Sequence, residues 1–266
     1  MGMPILMTAS VSTRGMKGAC FSDEEREKMY IESIKHYLKA LPERRIVFAE
    51  NSGWNLDALR AKVGADDGRM EYISVDPGVC DNSRGKGYNE ILLMNDAVAR
   101  SEFIKSAGAF MKVTGRYPIY NLGRYLGAAD KFFAKGGKYY GDIKDHKVFD
   151  WLFPGNTVKW NGHAAYTVLF ATTVDFYREH LSETYSQCND YTNDWIECVW
   201  FKVLKPFRGK KRCGVRLRLP VEPVCGGMQG STAQTIAFSQ SNESAKAKFA
   251  RFVGNCIRVF TPWFWF

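Results

Sequence analysis

The chain has no run of 18 or more apolar residues, so no segment reads as a membrane-spanning helix. Its opening, MGMPILMTAS, has neither a basic n-region nor a long apolar h-region. No secretory signal is expected, and Leu6 stands where a myristoylation motif needs Ser or Thr. The seven cysteines, at 20, 80, 188, 198, 213, 225 and 256, are odd in number and never form a C-x-x-C pair. That argues against a zinc site and a disulfide framework, and for reduced thiols in a cytoplasm. No Asp-x-Asp pair occurs anywhere, and the one adjacent pair, Asp66 and Asp67, lies in a loop. Repeats and low-complexity segments are also absent.

What is present is ordinary in bulk. The chain has 266 residues, 45% hydrophobic and 24% charged, enough for one large core or two small ones. The net charge of +9 is unevenly placed: residues 200–266 hold twelve Lys and Arg against Glu222 and Glu243 alone. A basic end on a near-neutral body suggests an anionic partner, whether nucleic acid, phospholipid or phosphate groups.

Strand and helix signals alternate through the first half. PILMTASVS (4–12) reads as a buried strand. Ser22 to Leu41 reads as a helix with a capping box from Ser22 and Glu25, stopped by Pro42. Arg45 to Ala49 is a short strand ending in ENSG, Asn55 to Val63 a helix ending at Gly64, and MEYISV (70–75) a third strand. Gly85 to Gly87 opens one long helix running to about Lys105, and Ala109 to Val113 is a fourth strand. This alternation predicts an α/β fold with a mostly parallel sheet flanked by helices. Ligands on such sheets bind beyond the carboxyl ends of the strands, where ENSG, SVDPG and KVTGRY fall. Residues 134–165 read as loop-rich. Tyr166 to Thr173 reads as a strand, VDFYREHL and DYTNDWIECVWFKVLK as helices, and KKRCGVRLRLP as a strand with a basic face.

Three motifs stand in a telling order: RIVFAENSG, then GKGYNE at the start of a helix, then GAFMKVTGRYPIYN. Together they resemble the bacterial GT-A nucleotide-sugar glycosyltransferases of capsule and lipopolysaccharide (O-antigen) synthesis. The resemblance covers residues 4 to about 120, and 166 to about 205 more loosely. It implies a GT-A-like, Rossmann-type domain over 1–240, with a nucleotide-sugar half (1–125), an acceptor half (126–240) and a separate tail (241–266). In that family the strand after the Gly-rich helix ends in Asp-x-Asp holding a divalent metal. Here the place carries Lys112, Thr114, Gly115 and Arg116. Lysine as a point charge and arginine as a bidentate fork can offset a departing diphosphate directly, so no cofactor and no divalent metal is expected. The alternative is that Arg116 forms a structural salt bridge at the strand end.

The resemblance also implies donor contacts from Thr8, Ser10 and Asp76. Glu50 and Ser52 would hold base or ribose, although N-S-G-W-N suits a plain turn and helix cap as well. Arg84 and Lys86, beside two glycines and a helix N-terminus, suit a diphosphate. Inverting transfer needs a base for the acceptor hydroxyl. Glu197 is favoured and Asp194 is second; on a helix both would point one way, and the spacing also fits an N-cap aspartate with an N3 glutamate. His163 and Trp195 are candidate acceptor contacts, with a structural histidine and core packing as the plainer readings. Trp151 and Trp160 could stack on sugar faces.

The segment 244–260 forms an amphipathic helix pattern: Phe249, Phe252, Val253, Cys256, Ile257 and Phe260 share a face, Arg251 and Arg258 lie opposite, and TPWFWF follows. Such a tail reads as attachment to an anionic bilayer surface, or as a helix packed on the protein's own core. The expectation is a transferase that moves a sugar from a nucleotide donor to a lipid-linked glycan, at the inner face of a plasma membrane. An RNA- or single-stranded-DNA-binding module and an inactive sugar- or lipid-binding relative are the alternatives. Against nucleic acid as a partner, basic residues and aromatics are not interleaved on an RRM-like or OB-like sheet pattern.

Overall fold

The computed structural model describes residues 2–13, 20–145, 163–209 and 213–226, with Phe249, Phe252, Val253 and Cys256 near the C-terminus. In chain order the elements are β1 (Ile5–Ala9), α1 (Asp23–Ala40), β2 (Ile46–Glu50), α2 (Leu56–Val63), β3 (Met70–Ser74), α3 (Lys86–Arg100), α4 (Glu102–Ala107), β4 (Ala109–Thr114), α5 (Leu122–Phe133), β5 (Tyr139–Tyr140), β6 (Ile143–Asp145), β7 (His163–Ala165), β8 (Leu169–Thr173), α6 (Val174–His180), α7 (Ile196–Leu204) and β9 (Val215–Arg216). Seven strands form one sheet in the order β3-β2-β1-β4-β8-β5-β9, and β6 pairs with β7 in a second, two-stranded sheet. Strands β1 to β4 are mutually parallel, β8 runs antiparallel to β4 and β5, and β9 is parallel to β5. The expected mostly parallel α/β sheet flanked by helices is the architecture found.

Local sequence accounts for most element ends. Ser22 caps α1 by accepting the Glu25 amide at 3.2 Å while the Glu25 carboxylate accepts the Ser22 amide at 2.8 Å. Asn55 caps α2, and Gly64, at φ 92°, ends it. The helix expected from residue 88 to about 105 is two helices. Ser101 takes an extended conformation, its hydroxyl accepts the Ile104 amide and donates to Glu71, and it thereby ends α3 and starts α4. The stretch expected to be one helix at 190–205 is also broken. Asn189 accepts the Tyr191 amide to form a single 3-10 turn, Asn193 is left-handed at φ 64°, and α7 begins only after Trp195. Trp195 is the cap residue, so Asp194 and Glu197 are not a cap pair. Within 134–165, read as loops, the short strands β5, β6 and β7 form. In the expected basic strand only Val215 and Arg216 pair, although Leu217 and Leu219 are buried and Arg216 is exposed as the alternation requires. Arg212, Trp151 and Trp160 lie outside the described residues.

The sheet separates two apolar cores. On one face Ile5, Met7, Met111 and Val113 pack with Tyr30, Ile34 and Tyr37 of α1 and Leu122, Tyr125 and Leu126 of α5. On the other, Leu6, Val47 and Phe110 pack with Ile91, Met94 and Val98 of α3 and Val199 and Trp200 of α7. Side chains alternate along a strand. Thr8 therefore follows Leu6, and Lys112 and Thr114 follow Phe110, onto the face that α3 covers. That face turns from apolar to polar at the carboxyl ends of β1 and β4, and the site is there.

Candidate active site

From β1 the chain goes to one side, to β2 and β3, and then returns to β4 on the other side of β1. This is a topological switch point, where open α/β sheets place their crevice. A cavity of about 170 Å³ lies there. Thr8 lines it from β1, Ser10 and Thr13 from the loop after β1, Thr114 from β4, Arg116 from the turn after β4, Arg26 and Tyr30 from α1, and Lys86, Asn89 and Glu90 from α3. Gly115 brings the two strand ends together. Its amide donates to the Thr8 carbonyl at 3.0 Å, and a β-carbon at this position would meet that oxygen at 2.8 Å.

Three cations converge on the cavity, and among the described residues none has a carboxylate within ion-pair distance. Arg26 is 7% exposed; its guanidinium donates to the carbonyls of Ser10 and Val11, the latter at 2.9 Å. Burial pushes its pKa below the usual arginine value, and the neighbouring Arg116 adds to the shift. Burial also lowers the pKa of Lys86, again reinforced by Arg116. Arg116 donates through Nη2 to the Tyr117 hydroxyl at 3.3 Å, while its Nη1 is buried without a hydrogen-bond partner among the described residues. Arg26 is buried, Arg116 half-buried and Lys86 exposed, with Asp190 offsetting part of the Lys86 charge; like charges gathered this way repel, and an anion in the cavity would relieve them.

Other residues of the expected donor set are placed differently. Lys112 is 1% exposed, and its ammonium is fully engaged by Glu90 Oε1 at 2.6 Å, the Thr167 carbonyl at 2.7 Å and Thr114 Oγ1 at 3.2 Å. It has no proton left for a phosphate. Glu50 is fully buried. It accepts the amides of Val11, Ser52 and Trp54 at 2.8 to 3.1 Å, plus the Ser52 hydroxyl, so it builds the loop after β2 instead of facing a base or ribose. Ser52 is consumed in the same turn and in a bond to the Ser12 amide. Asp76 is exposed and caps a turn through Gly78. Arg84 donates to the carbonyls of Ser186 and Cys188 and lies over the Tyr88 ring, stitching two loops together away from the cavity. The α3 N-terminus, expected to hold a diphosphate, already carries a carboxylate: the Lys86 amide donates to Asp190 Oδ2 at 2.6 Å. Gly85, at φ 91°, makes room for it.

Neither expected base lines the cavity. Glu197 stands behind Thr167, whose hydroxyl donates to it at 3.2 Å; burial pushes its pKa up, with the charge of Glu90 adding. Asp194 accepts from the Thr192 hydroxyl. His163 lies in the two-stranded sheet, with Nδ1 3.0 Å from buried Asp145, which also pairs with Arg208; the imidazole rests on Phe201. Trp195 is half-buried at the start of α7 and, like His163, does not line the cavity. The sequence reading missed Arg26 and Glu90. Arg26 looks like any charged residue on an amphipathic helix. Glu90 is four residues after Lys86, and that helical spacing could have flagged it.

No protein-family model and no curated protein matches the sequence. Solved structures are similar in fold. An active-site variant of the galactosyltransferase LgtC is 14% identical, covering 95% of each chain with a TM-score of 0.48. LgtC with donor and acceptor sugar analogs is 12% identical over 81% of this chain and 73% of that one, TM-score 0.46. The mannosyltransferase Ktr4p from S. cerevisiae is 10% identical over 92% and 76%, TM-score 0.46. Among the described residues no three of His, Cys, Asp and Glu come together as a metal site.

Proposed function

We propose that the protein is a glycosyltransferase that moves a sugar from a nucleoside-diphosphate donor to a glycan acceptor, and that Arg26, Lys86 and Arg116 neutralise the diphosphate without a divalent metal. One observation carries the reading: three cations, none with a carboxylate within ion-pair distance among the described residues, line one cavity at the switch point of a mostly parallel sheet. Preformed positive charge aimed at a leaving group stabilises the transition state as its charge develops. The order of the sequence motifs supports a nucleotide-sugar donor. In this reading the base is Glu197, with Asp194 second, reached once the acceptor opens the contact between Thr167 and Glu197. Transfer then proceeds with inversion. The acceptor is a lipid-linked glycan of cell-surface polysaccharide, met at a membrane surface through the C-terminal tail.

Thermal shift against UDP, GDP, CMP and dTDP tests the donor site. One nucleotide should raise the melting temperature, since a ligand at a hundred times its Kd adds about 2.7 kcal/mol, and Arg116→Ala should abolish the shift. Strong, salt-sensitive RNA binding with no nucleotide shift would overturn the assignment. Turnover should persist in EDTA; loss on chelation and rescue by manganese would refute the metal-independent mechanism.

A further inference from the structure

Glu90 is the only carboxylate that lines the cavity among the described residues. It lies one helical turn after Lys86 on the same face of α3, a rise of about 6 Å. Its two oxygens are in different situations. Oε1 accepts the Lys112 ammonium at 2.6 Å and the Thr8 hydroxyl at 2.9 Å. Oε2 has no hydrogen-bond partner among the described residues and is not sealed from solvent. Lys112 in turn is fixed by Thr167 and Thr114 and is 1% exposed. One oxygen of Glu90 is thus locked from behind by a buried cation, and the other is left unbonded on a half-buried side chain that lines the cavity.

We propose that Glu90 Oε2 accepts a hydroxyl of the transferred sugar and so selects the donor sugar, with Lys112 as its positioning residue. The inference rests on the nucleotide-sugar reading above. In such a donor the sugar is bonded directly to the outer phosphate. A diphosphate held by Lys86 and Arg116 therefore puts the sugar ring within one helical turn, the distance at which Glu90 stands. A carboxylate only accepts hydrogen bonds, so it favours a sugar with a free hydroxyl at that position over a deoxy sugar. A partly desolvated polar group left without its partner rejects the wrong substrate more strongly than a missing apolar contact does.

The test compares nucleoside diphosphates with their sugar conjugates by calorimetric titration: UDP against UDP-glucose, GDP against GDP-mannose, and dTDP against dTDP-glucose. For the cognate pair the wild type should bind the conjugate about tenfold or more tighter than the bare nucleotide, a hydrogen bond to a charged group being of that order. Glu90→Ala should lose that increment and keep the affinity for the nucleotide. Glu90→Gln leaves Lys112 a carbonyl oxygen and presents an amide to the cavity; it should lose most of the increment, and although loss of the counter-charge on buried Lys112 lowers its melting temperature, retained affinity for the bare nucleotide shows that the site is folded. One monodeoxy donor should bind weakly to the wild type and show no further loss with Glu90→Gln. An unchanged increment in both variants overturns the proposal. So does a loss confined to kcat, which would make Glu90 a base. If wild-type protein binds no nucleoside diphosphate, the function reading itself fails and this inference falls with it.

Discussion

A lysine in the middle of a strand buried on both faces must have its charge met, and in β4 Lys112 is met by Glu90, Thr114 and the Thr167 carbonyl. Removing one partner of a buried pair leaves the other uncompensated, at a cost of about 3–5 kcal/mol. Lys112→Ala should therefore lower the unfolding free energy in urea, by less than that amount because the Glu90 left behind is half-buried at the cavity. Were Lys112 instead a phosphate ligand at the surface, the change would be small and the loss would fall on nucleotide affinity. The same residue marks a limit of the sequence. KVTGRY put lysine and arginine where the resembled family carries its metal pair, and the alternation of AFMKVT could show which face Lys112 takes. The partner on α3 is 22 positions away, and only the packing of α3 on the sheet reveals it. Arg116 was legible because it follows the strand end, where side chains face the crevice. Arg26 was not, because a cation on a surface-patterned helix carries no sign of where the helix will be laid down.

Elements were legible where their ends carry chemistry. The Ser22–Glu25 box, the Asn55 cap and the Gly64 stop lie where side-chain oxygens and a left-handed glycine put them. Helix α5 was missed for the opposite reason: Gly123 and Gly127 weaken the helical signal, and Asn121 makes no capping bond, yet Leu122, Tyr125, Leu126 and Ala129 form a buried stripe that packing rewards. On α7 the burial that hides Glu197 also makes a pH prediction. Its pKa is raised in the fold, so the stabilising contribution of the protonated form is complete below the ordinary glutamate value and is lost as pH rises through the folded pKa. Asp190, also raised by burial, has the same sign. Glu197→Gln should flatten this slope, melting above the wild type at pH 8 and level with it near pH 4. Thermal melts across that range check it. If Glu197 is also the base, the variant should lose about 10²–10⁴ in kcat with nucleotide affinity intact.

At the scale of the molecule, charge is segregated along the chain: twelve cations and two acids lie beyond residue 199, while the body before them is near neutral. Among the described residues no helix is long and apolar enough to cross a bilayer. In the C-terminal helix Phe249, Phe252 and Val253 are 68%, 64% and 38% exposed, so three members of its apolar face are not buried against the protein's own core. Exposed phenylalanines in a stretch whose sequence also carries Lys248, Arg251 and Arg258 suit an anionic lipid surface, where apolar burial and about 1 kcal/mol per cation add together. An enzyme whose acceptor is lipid-linked gains from that docking, because the sugar donor diffuses in water while the acceptor does not leave the membrane. Flotation with vesicles of phosphatidylglycerol and phosphatidylcholine should therefore carry the full chain upward at low salt. The bound fraction should fall as the Debye length shrinks from about 30 Å at 0.01 M to about 3 Å at 1 M salt. A chain ending at Glu243 should stay at the bottom while keeping its nucleotide-dependent melting shift. Equal flotation of both chains would move the membrane contact to the basic residues of 202–218, and flotation of neither would leave the tail no part in reaching the acceptor.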